Sequence, residues 1–156
     1  MNNRMLKSTL GKIACLTLAT AVIPAAWAFK DADEAIEYRQ SAFVLIGEQV
    51  SQMGAMIRNE KPFDAAEFKY RADSVAALSL MPLEGFMYPG SDKGETKAKP
   101  EIWENTEDFS KRLKTFQDQA AALSKAAAGG DLAAAKPAFM DVMKNCKSCH
   151  TDYKNR

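Results

Sequence analysis

Four stretches of the chain repeat their apolar residues at three- and four-residue steps. In the first, Ile36, Phe43, Ile46, Val50, Met53 and Ile57 recur in this way, with Gln40 and Gly47 on the same face. This is helical period, not strand alternation. Asp31 or Asp33 stands where a cap belongs, and Glu34 adds negative charge to the first turn. Asn59-Glu60-Lys61-Pro62 breaks the pattern, so the spacing predicts one helix over 31–58. A second runs from a cap at Asp64 to about Leu80, with Phe68, Ala72, Val75 and Ala76 on its apolar side, and Pro82 ends it. A third spans about 105–128 on Phe109, Leu113, Phe116, Ala120 and Leu123, and stops at Gly129-Gly130. Asp131 caps the fourth, where Phe139, Met143, Cys146, His150 and Tyr153 share a face. Pro137 leaves two readings: a kinked helix, or a short turn at 131–135 before a helix starting near Pro137.

Residues 81–103 form one long connection. Pro89-Gly90-Ser91 and Pro100 oppose regular helix there, and Lys93, Lys97 and Lys99 are solvated. Leu83, Phe86, Met87 and Tyr88 are too apolar for water and should fold back on the core. Short turns join the first and last helix pairs, and the long connection joins the pairs. With no strand signal and no internal repeat, the pattern predicts an all-α fold, an up-down-up-down four-helix bundle.

The first 28 residues fall outside this scheme. Arg4, Lys7 and Lys12 make a positive start with no acidic residue, an apolar run follows from Ile13 to Pro24, and Ala26-Trp27-Ala28 is an A-x-A cleavage site. This reads as a secretory signal cut before Phe29. The apolar run is too short to span a bilayer. A lipid-bearing role for Cys15 is opposed by Lys12 three residues before it. The mature domain is therefore 29–156, exported to the periplasm, with no membrane association after cleavage. The whole chain carries +1. Removing Arg4, Lys7 and Lys12 leaves 18 basic against 20 acidic residues, a net of −2. Neither value makes a case for nucleic acid.

Chemistry concentrates at Cys146-Lys147-Ser148-Cys149-His150. C-x-x-C-H is the spacing that attaches a c-type haem. Two thiols three residues apart on a helix reach both vinyl groups of one porphyrin, and the following His lies beneath the iron as proximal ligand. A dithiol redox site expects a strand leading into the motif. A structural zinc site wants four protein ligands. A disulfide between Cys146 and Cys149 would strain the helix. The motif uses both remaining cysteines and the only His of the mature domain. Because these residues share the buried stripe, the haem belongs in the bundle core, near the C-terminus. The small cytochrome c fold is the alternative, but it carries the motif near its N-terminus with a Met ligand downstream, and no Met follows His150.

The second axial position decides function. There is no other His. Met140 and Met143 lie on the haem-bearing helix and cannot reach the opposite face; Met53, Met56, Met81 and Met87 read as core filler. A haem with one strong ligand leaves iron open to diatomic gases.

The mature domain resembles cytochrome c′, the four-helix class of c-type cytochromes. Three stretches carry the resemblance: Glu37-Tyr38-Arg39-Gln40-Ser41-Ala42-Phe43; Pro82-Leu83-Glu84-Gly85-Phe86 through Pro89-Gly90-Ser91-Asp92 to Lys99-Pro100-Glu101-Ile102-Trp103; and the haem motif. The resemblance implies that Cys146 and Cys149 form the thioethers and His150 is the metal ligand. Arg39 would lie near the haem propionates and Phe86 along the haem edge. Phe43 would stand over the distal iron face, where low-spin relatives have a ligating Met, so high-spin five-coordinate haem binding NO and CO is implied. Two positions depart from the family: Lys154 stands where many relatives have Arg, and Leu83 where many have Trp. Redox partner proteins and a homodimer through the first two helices are also implied, the latter with Met53, Met56 and Ile57 as exposed apolar residues. The alternative is a six-coordinate His/Met one-electron carrier. An enzymatic reading lacks any evident distal acid or base to handle protons.

Overall fold

The computed structural model describes residues 28–155. The expected signal segment lies outside the described residues except for Ala28. Six helices follow in order: α1 (Ala32–Ile57), α2 (Ala65–Leu78), α3 (Pro82–Met87), α4 (Glu101–Glu104), α5 (Thr106–Ala127) and α6 (Leu132–Tyr153). The four long ones make the expected all-α bundle. α1 packs on α2 and α3, α2 on α5, and α5 on α6. No helix among the described residues is long and apolar enough to cross a membrane.

Three long helices begin with the expected aspartate caps. Asp31 accepts from Glu34 N at 3.0 Å, Asp64 from Glu67 N at 2.9 Å and Asp131 from Ala133 N at 2.8 Å. Each such cap contributes about 1 kcal/mol. Gly130, between α5 and α6, has φ +69, a left-handed backbone that glycine adopts without strain. α6 runs from Leu132 to Tyr153 with Pro137 inside it, so the alternative of a short turn before a helix starting near Pro137 does not form. Pro137 sits in its second turn, where only the bond to Ala133 O is forfeited.

The connection holds more helix than expected. Pro82 does not merely stop α2, which ends at Leu78; it occupies the first turn of α3, where its fixed φ and missing N–H are tolerated. α3 turns Phe86 into the core, and Leu83 and Met87 pack against the same cluster. Beyond Pro100 comes the single turn of α4.

Antiparallel topology places the end of α1, the start of α2, the end of α5 and the start of α6 together. Met53, Met56, Phe68 and Leu123 are fully buried there. A Cβ on Gly54 would lie 3.6 Å from Phe139 Cζ, so α1 and α6 are close at this end. Met53 and Met56 therefore are not the exposed dimer residues they were expected to be, and Ile57 is half-buried. The exposed apolar residues of α1 are Val44 (71%) and Leu45 (50%). Toward the other end, the start of α1 and the last turns of α6 form opposite walls of a cleft.

Candidate haem-binding site

The cleft has a volume of about 960 Å³, within the range of pockets that take cofactor-sized ligands. Arg39, Phe43, Phe86, Cys146, Cys149 and His150 all line it. Residues from α1, the crossover, α5 and α6 thus meet at one place.

The α6 wall carries the chemistry. Cys146, Cys149 and His150 lie within consecutive turns, and both cysteines are half-buried free thiols. Burial pushes the Cys146 thiol up, and burial pushes Cys149 up to about 11. Both therefore stay protonated at neutral pH. Among the described residues no group of three or more His, Cys, Asp or Glu side chains is arranged to hold a metal ion. Desolvation, and then the charge of Lys154, lower the pKa of His150. Both favour neutral imidazole, the form that coordinates iron.

Arg112 on α5 fixes this end of α6. Its Nε donates to Asp108 at 2.7 Å, and its Nη1 to Asp152 at 2.6 Å and to Ser148 Oγ at 3.3 Å. Tyr153 Oη donates to Asp108 at 2.5 Å. The guanidinium thus grips Ser148, one of the two residues between the cysteines, and Asp152, just beyond His150.

The α1 wall carries Arg39 and Phe43. Arg39 is 1% exposed. Its Nη1 donates to Gly85 O at 3.0 Å, and its Nη2 to Ser91 O at 2.7 Å and Thr96 Oγ1 at 3.2 Å. Its guanidinium carbon lies 4.4 Å from the Phe86 ring centre. Burial lowers its pKa to about 10, opposed by the charge of Asp92. Among the described residues no carboxylate pairs with it at contact distance. A buried guanidinium bordering a cavity without a counter-anion suits an anionic ligand there, so the residues fit a haem with its carboxylates. Phe43 is half-buried, its ring centre 6.3 Å from that of Phe86. Phe86 in turn packs edge-on against Phe109 at 4.8 Å.

A short tie closes one end of the cleft. Lys99 N donates to Tyr153 O at 3.1 Å and Asn155 N to Lys97 O at 2.8 Å, forming an isolated antiparallel bridge between Ala98 and Lys154. Thr96, Lys97 and Arg112 line the cleft but escaped the sequence reading. Thr96 and Lys97 lie in an irregular segment with no period to mark them. For Arg112, the four-residue step from Asp108 was the legible signal.

A four-helix bundle with a C-x-x-C-H motif at the end of its last helix, facing an interior cleft, defines a bundle-type c-type cytochrome. The Cytochrome C′ family model matches residues 34–154, and the chain belongs to the cytochrome c′ family. The structure of cytochrome c prime from Shewanella frigidimarina is 51% identical, with a TM-score of 0.79 over 82% of this chain and 99% of that one. Two structures of variants of cytochrome c prime from Alcaligenes xylosoxidans have TM-scores of 0.76. One is ferrous with bound NO, 37% identical over 82% of this chain and 98% of its own; the other has bound carbon monoxide, 36% identical over 82% and 99%. As a member of this family the chain carries covalently bound haem c.

Proposed function

We propose that the protein is a periplasmic gas-binding cytochrome. Cys146 and Cys149 form the thioethers, His150 is the single protein ligand to iron, Arg39 faces the haem carboxylates, Phe86 lines the haem edge and Phe43 covers the distal side. Haem c held by one imidazole supplies an open iron position at which NO and CO bind.

The carrying observation is the composition of the cleft wall opposite α6. α1 contributes Arg39, Gln40, Phe43, Val44, Ile46, Gly47 and Val50, none of them a Met or His. The one Met lining the cleft is Met143, two turns before His150 on the same helix. Met53 and Met56 are buried in the core at the far end of α1. This opposes the six-coordinate His/Met carrier. The NO- and CO-bound relatives support the ligand class. The leader-like segment 1–28 supports export.

Phe43 presents a benzyl group rather than a hydrogen-bond donor, so it excludes water and polar ligands by bulk. The family implies a homodimer, and the exposed Val44 and Leu45 of α1 provide an apolar face for it.

The test is the absorption spectrum of the reduced protein with and without carbon monoxide. High-spin bands that shift on adding the gas are expected. A sharp low-spin spectrum unmoved by carbon monoxide would refute the reading.

A further inference from the structure

We propose that the mouth of the cleft is a docking surface for an acidic electron-transfer protein, engaged by Lys97, Lys147 and Lys154. This rests on the reading that haem c occupies the cleft.

Lysine charge gathers there, with Glu95 the one acidic residue among the described residues that line the cleft. Seven other cations, Lys30, Arg58, Lys61, Lys69, Arg71, Arg112 and Lys114, each pair with a carboxylate. The lysines of 93–99 and 144–154 pair with no carboxylate among the described residues. These two stretches hold six lysines against Glu95 and Asp152, and Asp152 is already bound to Arg112. Lys111, Lys125 and Lys136 are also unpaired, but they lie singly along α5 and the start of α6.

The backbone brings the two stretches together. Asn155 N on Lys97 O and Lys99 N on Tyr153 O join the crossover to the tail of α6. Lys147 stands two turns before Lys154. All three named lysines are exposed and all three line the cleft. Residues 29–156 carry a net −2, so this local excess opposes the sign of the whole domain. Such asymmetry orients an approaching anionic surface and raises its encounter rate. Met143 (37% exposed), one turn before Lys147 on α6, lines the same cleft. An apolar contact beside clustered charge suits a small transient interface.

In the exchange, one electron leaves the partner's reduced centre and is taken up by the ferric haem iron. No bond or proton transfer is asked of the lysines. They hold the partner where the cleft opens.

The experiment is stopped-flow reduction of the ferric holoprotein by flavodoxin hydroquinone, an acidic protein that becomes its semiquinone. From about 10 to about 300 mM salt, the second-order rate should fall roughly tenfold. The combined Lys97→Glu, Lys147→Glu and Lys154→Glu variant should lose about tenfold at low salt and flatten the salt dependence. Lys147→Glu alone, away from the tail bridge, should show a part of both effects. A control with Lys111→Glu, Lys125→Glu and Lys136→Glu should keep the wild-type rate and slope. Covalent haem is assayed first: its absence defeats the underlying reading, not the docking surface. With haem present, a salt-indifferent rate or equal losses in the two triple variants overturns the proposal. So does salt-sensitive binding to phosphatidylglycerol vesicles with no lysine effect on the flavodoxin rate.

Discussion

Nη1 of Arg39 reaches the carbonyl of Gly85 at 3.0 Å because nothing stands on the Gly85 α-carbon. A Cβ there would lie 2.7 Å from Ala35 O and 3.0 Å from Arg39 Cβ. The missing side chain lets α3 rest directly on the α1 backbone, which carries Phe86 into the cleft wall. Gly85→Ala should push α3 outward and cost about 2 kcal/mol, since the obstructing atom is backbone and cannot rotate away. Urea unfolding of the holoprotein measures this; a loss below roughly 0.5 kcal/mol would mean that α3 moves freely.

Phe43 should set the spin state and the gas affinity. Phe43→Ala removes the ring and opens the α1 wall, so carbon monoxide should bind about tenfold more tightly. Phe43→Met places a thioether at the same point of α1, and the reduced spectrum should become low-spin and nearly indifferent to carbon monoxide. An unchanged affinity in the first variant and a high-spin spectrum in the second would move Phe43 away from the distal face.

The long helices were legible because their stripes continue through several turns and three start at an aspartate. The haem motif was legible because attachment demands those residues in that order. Met53 and Met56 are the core filler that their residue type suggests, and it was only the dimer implied by the resemblance that took them as exposed; the returning helices close over both. Pro82 was read as a stop, although the same residue starts α3. Thr96 and Lys97 lay beyond reach: they border the cleft because the crossover is tied to the tail of α6 by backbone hydrogen bonds, which leave no pattern in side-chain type.

Asp108 should shape the acid stability of the protein. The hydrogen bond from Tyr153 is the largest influence and lowers its carboxyl; desolvation opposes it, and the hydrogen bond and charge of Arg112 then lower it further, so that it lies below the ordinary 3.8. A carboxyl with a depressed folded pKa stabilises the fold above its unfolded value and ceases to do so as pH falls through the folded one. The thermal midpoint should therefore drop as pH falls below about 3.8. Asp108→Asn should start lower near neutral pH and lose less on acidification. Parallel acid limbs for the two proteins would show that Asp108 carries none of this linkage.

Leu45 should lie in the interface of the proposed homodimer. It is half exposed beside Val44, on the side of α1 turned away from the core, and both border a shallow hollow with Glu37, Gln40 and Ser41. A carboxylate placed there would be buried without a partner when two copies associate, at a cost of several kcal/mol. Leu45→Glu should weaken association by roughly a hundredfold or more. Light scattering after size exclusion should show the mass halving at micromolar concentration, with the carbon monoxide spectrum of the separated chains unchanged. Met56→Ala should instead destabilise the chain by about 2–5 kcal/mol, because Met56 is 0% exposed in the core. It should leave association of the folded protein intact. If Leu45→Glu stays dimeric, the contact lies on another face.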